Sequence, residues 1–173
     1  MFRWCTLCLL LILILALPAC NQSGAGEVVN ITKPPANCPV TKSPDPPFTP
    51  PQPYPASAPG ADAWYGTAAL WTRVPQNGIW EALSHNSQGY SQKVFWWRAG
   101  YDMMKEPEPN LTVTGHRLDG EAPPLHASRA TNASAGDIGE AMLVGVDIPT
   151  SGCWEIIGQY AEAKLSFVVW VAP

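Results

Sequence analysis

The sequence predicts an all-β fold, and three observations carry that prediction. Segments rich in β-branched and aromatic residues, such as Gln92–Arg98 and Leu111–Thr114, are separated by turn clusters of Gly, Pro, Asn and Asp. Beyond the first twenty residues no segment keeps a helical period long enough for an amphipathic helix. Toward the C-terminus, Cys153–Tyr160 and Lys164–Val171 alternate around the short connection Ala161-Glu162-Ala163 with both faces substantially apolar, which places this hairpin in the middle of a covered sheet. Residues 63–173 therefore read as one domain, an immunoglobulin-like β-sandwich, preceded by a Pro-rich tether over residues 20–62.

The chain opens with Met1-Phe2-Arg3-Trp4 and then runs from Leu7 to Leu17 almost entirely in Leu and Ile. One cation ahead of a short apolar run has the form of a secretory signal, and the run stops at Pro18, short of the about 20 residues that a bilayer-spanning helix needs. Residues 1–19 are expected to be a cleaved signal peptide. The stretch Leu17-Pro18-Ala19-Cys20 resembles the lipobox of bacterial lipoproteins, which implies a lipid on Cys20 and an anchor to the bacterial cell membrane or outer membrane. An ordinary signal peptide and a retained signal anchor are the competing readings. The polar run Asn21-Gln22-Ser23-Gly24 directly after the cysteine favours lipidation.

Cys5 and Cys8 leave with the signal and Cys20 carries the lipid, so Cys38 and Cys153 remain. In an oxidising compartment two thiols point to one disulfide, against the alternative of two free cysteines. The formal charge is −4, and it becomes −5 once the signal removes Arg3. Lysines and arginines are scattered singly, which argues against a nucleic acid partner.

Between Pro34 and Pro59 proline recurs too densely for helix or sheet interior, because each ring fixes φ and removes a backbone donor. An extended, polyproline-like chain is expected. Cys38, Phe48 and Tyr54 interrupt it with groups that favour burial. If Cys38 bonds Cys153, this stretch lies along the domain and only the residues before Cys38 form a free spacer. Further on, Ile138–Ile148 reads as a strand, and Pro149-Thr150-Ser151-Gly152 as the corner that carries the chain to the opposite sheet.

The segments Cys38-Pro39-Val40-Thr41, Trp64–Thr72, Lys93–Arg98, Leu111–Asp119 and Gly152–Ile156 are similar to a set of uncharacterised bacterial secreted proteins and lipoproteins. The resemblance runs over most of the chain from Cys38 onward. It implies that the two cysteines belong with the domain, and it carries no activity, cofactor or site residue across.

A search for chemistry finds little. His85, His116 and His126 lack any metal-ligand spacing, so no metal and no cofactor is expected; His116 reads as a solvent-facing strand residue. Ser84 and His85 adjoin without a nucleophile elbow, and Cys153 reads as structural. Asp102, Glu106 and Glu108 read as a solvated acidic turn. The unusual feature is aromatic content, with eight tryptophans. Strand alternation puts Trp96 and Trp97 on opposite faces. The pattern predicts Trp96 buried and Trp97 the more accessible, with Trp97, Arg98 and Tyr101 as the candidate binding residues; against this, Phe95 on the face of Trp97 argues for burial there too, and tryptophan as core filler is the favoured reading over a binding platform. The expected function is a noncatalytic binding or accessory module of the cell envelope, recognising a protein, glycan or small ligand. The competing expectation is an envelope hydrolase with a dispersed site.

Overall fold

The computed structural model describes residues 33–173. The expected signal peptide, the lipidation site Cys20 and the start of the tether lie outside the described residues. Eleven strands follow: β1 (Asp62–Thr67), β2 (Leu70–Pro75), β3 (Ile79–Trp80), β4 (Ser84–Asn86), β5 (Gly89–Trp97), β6 (Leu111–Arg117), β7 (His126–Ala127), β8 (Thr131–Ala135), β9 (Gly139–Ile148), β10 (Gly152–Tyr160) and β11 (Ala163–Val171). One sheet has the order β1-β2-β5-β9-β7, with β4 added along β5 and β8 along β9; the other has the order β3-β11-β10-β6. The fold is all-β, two sheets in a sandwich.

The elements with strong local patterns form where the sequence places them. The β10–β11 hairpin closes at Tyr160↔Ala163 and occupies the middle of the four-stranded sheet. β9 ends in the larger sheet at Ile148 and β10 begins in the smaller one at Gly152, so Pro149–Ser151 is the expected crossing. Trp154 Nε1 donates to the Thr150 carbonyl at 3.0 Å and fastens that corner.

Alternation sorts the side chains into two cores. Between the sheets, Val94 and Trp96 of β5 meet Met142, Val144, Trp154, Ile156 and Phe167, all buried. Fully burying each such side chain contributes about 1.5–3 kcal/mol. Trp96 lies against the backbone of Gly158: a Cβ at position 158 would stand 2.4 Å from Trp96 Cζ3. The missing side chain makes room for the indole.

The second core lies on the other face of the larger sheet. Trp71 and Trp97 point there with Trp64, and Tyr54 and Phe48 of the proline-rich segment pack over them. The Tyr54 ring meets Trp71 edge-on at 5.1 Å, Phe48 sits 5.8 Å from the same ring, and Trp64 Nε1 donates to the Pro55 carbonyl at 3.0 Å. Cys38 is bonded to Cys153 with the Cα atoms 5.5 Å apart. Thr41 exchanges two hydrogen bonds of 2.8 Å with Val168, one through its hydroxyl, and so extends the outer edge of β11 beyond β3. Of the two arrangements open for the proline-rich chain, the packed one is found from Cys38 onward. The proline-rich chain from Cys38 onward thus packs with the two sheets.

Candidate functional site

The three expected binding residues do not form a surface. Trp97 has no exposure, lies edge-on to Trp64 at 4.9 Å, and donates Nε1–H to the Ile138 carbonyl at 3.1 Å. The expectation of an accessible Trp97 is therefore corrected. β5 is an interior strand covered on both faces, once by the second sheet and once by the proline-rich layer.

Arg98 and Tyr101 belong to a closed polar cluster under the β5–β6 loop. The Arg98 guanidinium pairs with Glu106 and lies 5.1 Å from the Tyr160 ring centroid, and Tyr160 OH donates to the other Glu106 oxygen. Tyr101 OH donates to Asn132 Oδ1, Asn132 Nδ2 donates to the Met103 carbonyl at 3.0 Å, and Met103 N–H donates to Glu140 Oε2 at 3.0 Å. Burial, followed by the carboxylate of Glu106, pushes the Tyr101 phenol up to about 12. Burial alone would raise the Glu106 carboxyl, but hydrogen bonds from Tyr160 and Arg98 hold it below its ordinary value. Each charge here is answered by a neighbour, and the cluster ties the loop to β5, β8, β9 and β10. The solvated-turn reading is thus corrected for Glu106. Asp102 pairs with exposed Lys105 at 2.9 Å, and Glu108 with exposed Arg129.

The histidines stay apart. His116 is exposed, 3.6 Å from Glu155, and His85 lies edge-on to Tyr90 at 4.8 Å. His126 approaches Asp147 Oδ2 at 3.7 Å, while Ser91 Oγ donates to Asp147 Oδ1 at 2.5 Å. Those hydrogen bonds, from Ser91 and then Asn86, lower the Asp147 pKa. A catalytic relay needs the histidine between serine and carboxylate, and here the serine reaches the carboxylate directly. Among the described residues no group of three potential metal ligands occurs.

A concave site does form where β2 and β5 part. The two strands pair only at Trp71↔Trp97 and Thr72↔Trp96. A continued register would set Arg73 opposite Phe95 and Pro75 opposite Lys93, and the residues at the fork explain why the ladder stops. Pro75 has no N–H to give. The Thr72 hydroxyl takes the Phe95 carbonyl at 2.8 Å, and the Lys93 N–H turns to Gln92 Oε1 at 2.8 Å. The gap is a cleft of about 380 Å³. Ile79, Trp80 and Val94 in its lining are buried, and Gln76, Glu81 and Lys93 are exposed. Arg73 bridges to Asp62 at 3.3 Å and its guanidinium stands 5.1 Å from the Phe95 ring centroid. Burial raises the Asp62 pKa, with Arg73 pulling the other way. The sequence carried one signal for this site: a proline at the end of a run that otherwise reads as strand.

Comparison of the chain with protein-family models, with curated proteins and with solved structures finds no match.

Proposed function

We propose that the chain is an exported lipoprotein of the bacterial cell envelope, anchored through a lipid on Cys20, whose folded body is a noncatalytic module binding its ligand in the cleft between β2 and β5. The observation that carries this reading is the make-up of the cleft: polar and apolar groups in near balance, with Ile79, Trp80 and Val94 in its lining beside both charge signs and amides, reached through a gap in a sheet. Ligand sites are typically concave, with apolar surface and placed polar groups side by side. The envelope hydrolase is the weaker reading, because the serine, carboxylate and histidine that come nearest one another are in the wrong order for proton transfer.

The test is nuclear magnetic resonance of the isotope-labelled protein titrated with fractions of bacterial envelope extract. Shifts concentrated at the Trp80 indole, Gln92 and Phe95, and lost in Leu83→Trp, which fills the cleft, are expected. Shifts confined to other surfaces would overturn the assignment.

A further inference from the structure

Two charges in the lining of the β2–β5 cleft have no ion-pair partner among the described residues. Four charged side chains line it, and two of them, Asp62 and Arg73, bridge each other at 3.3 Å. The other two, Glu81 and Lys93, are exposed and enter none of the ion pairs of the described residues. The lining is neutral in sum, yet it presents one unspent anion and one unspent cation. Glu81 directly follows β3 and Lys93 lies in β5, so the two belong to different banks of the cleft.

The uncharged groups repeat this division. On the first bank Gln76 spends Nε2 on the Asp62 carbonyl at 3.1 Å, which leaves its Oε1 to accept. Gln76 N–H donates to the Ala61 carbonyl at 3.1 Å, so by alternation Thr72 and Val74 serve β1 and Arg73 turns its backbone toward β5. The β2–β5 register stops at Thr72↔Trp96, short of Arg73↔Phe95. The Arg73 C=O and the Phe95 N–H, which a further pair would have joined, therefore open into the gap. On β5, Gln92 spends Oε1 on the Lys93 N–H at 2.8 Å and keeps its Nε2 hydrogens to donate. The bank from β2 to Glu81 thus brings mainly acceptors, and β5 mainly donors.

We propose that the ligand of this cleft is a zwitterion of the amino-acid class, its ammonium group held at Glu81 and its carboxylate at Lys93, with an apolar side chain beside Trp80 and Val94. The inference rests on the binding reading above and names the chemistry of its ligand. An ammonium offers three N–H donors and no acceptor, whereas a carboxylate only accepts. The two groups therefore match the two banks in hydrogen bonding as well as in charge. A neutral sugar gains nothing from either charge, a lone anion meets Glu81, and a lone cation meets Lys93. A cleft of about 380 Å³ stands at the small end of ligand pockets, the size for a single amino acid or a short peptide.

Nuclear magnetic resonance titration of the isotope-labelled mature chain tests the proposal with four probes: leucine, the peptide Leu-Gly-Leu, leucinamide and N-acetyl-leucine. Leucine or Leu-Gly-Leu should shift the Trp80 indole, Gln92 and Phe95, and the better of the two tells a free amino acid from a short peptide. Leucinamide lacks the carboxylate and N-acetyl-leucine the ammonium, and each should bind about tenfold more weakly than leucine, the weight of one hydrogen bond to a charged group. Glu81→Gln should shrink only the advantage of leucine over N-acetyl-leucine, and Lys93→Gln only that over leucinamide, both with unchanged melting curves because the side chains are exposed. No shift from either zwitterion at about 1 mM, the weak end of recognition, equal binding of all four probes, or advantages that persist in both variants overturns the proposal. Shifts at the cleft from envelope extract, with none from the zwitterions, would overturn this ligand and leave the binding cleft standing; zwitterion shifts confined to other surfaces would sink both.

Discussion

Replacing Trp97 tests the proline-rich layer directly, because the cost of the substitution depends on what covers that face of β5. Were residues 45–60 a free spacer, Trp97 would stand on a solvated sheet surface and Trp97→Ala would cost little. With Tyr54 and Phe48 over the neighbouring Trp71 and with Trp64 edge-on, Trp97 is fully enclosed. Truncating a buried tryptophan costs about 3–5 kcal/mol, which for a body of this size lowers the melting temperature by roughly 10–15 °C. Trp96→Ala should fall in the same range, since Trp96 is equally enclosed. The phenylalanine variants separate the two positions. Trp97→Phe also strands the Ile138 carbonyl, about 1–3 kcal/mol more, whereas the Trp96 indole N–H has no partner to lose. Equilibrium urea unfolding followed by circular dichroism reads all four. A Trp97→Ala protein within about 1 kcal/mol of the parent would refute the covered face.

The Cys38→Ser/Cys153→Ser protein should lose about 4–5 kcal/mol on the chain-entropy account, given a separation of 115 residues; non-reducing peptide maps of the parent should show one linked pair, and two alkylatable thiols there would sink the bridge. Gly158→Ala pushes a methyl group into the Trp96 ring and should cost about 1–3 kcal/mol by overpacking, visible as a lowered urea midpoint. Glu106 is held below its ordinary value of 4.5, so its stabilisation is complete above that pH and is lost as pH falls through the depressed folded value; Glu106→Gln should flatten the acid limb of the stability profile. Tyr101 is raised from 10.0 to about 12, so the stability tied to its neutral form is complete below pH 10 and disappears as pH climbs toward 12; burial also raises Tyr54 and Tyr160, so absorbance at the tyrosinate band should show more than one phenol ionising late, and Tyr101→Phe should remove one of them.

The parts of the fold legible in the sequence are those with local causes. Cys153–Val171 alternates strictly around a two-residue turn, and Pro149–Gly152 breaks the pattern at a corner, so the hairpin and the crossing follow from neighbours a few residues apart. The Cys38–Cys153 pairing could be reached by elimination. The cover over Trp97 could not, because proline-rich chain has no period and its packing rests on two isolated side chains, Phe48 and Tyr54. Period-two reasoning placed Trp96 and Trp97 on opposite faces correctly, and Phe95 beside Trp97 already spoke for a covered face, but nothing local decided which face met water. Glu106 was misread for a related reason: its partner Tyr160 lies 54 residues further on, beyond any local pattern. The fork at Thr72–Pro75 was half legible, since a proline ends a ladder wherever it lands, but which strand would lie opposite depended on the topology.

The disulfide also fixes how the molecule carries tension. A pull on the chain ahead of Cys38 does not peel the proline layer away turn by turn, because the force crosses the sulfur bridge into Cys153 at the head of β10. That strand is flanked by β11 and β6, so the load meets two ladders of hydrogen bonds lying along the strand. Residues 39–61, the aromatic face beneath them and the loops up to Thr150 lie off this route. The cleft between β2 and β5 lies off this route too and keeps its shape under such a pull.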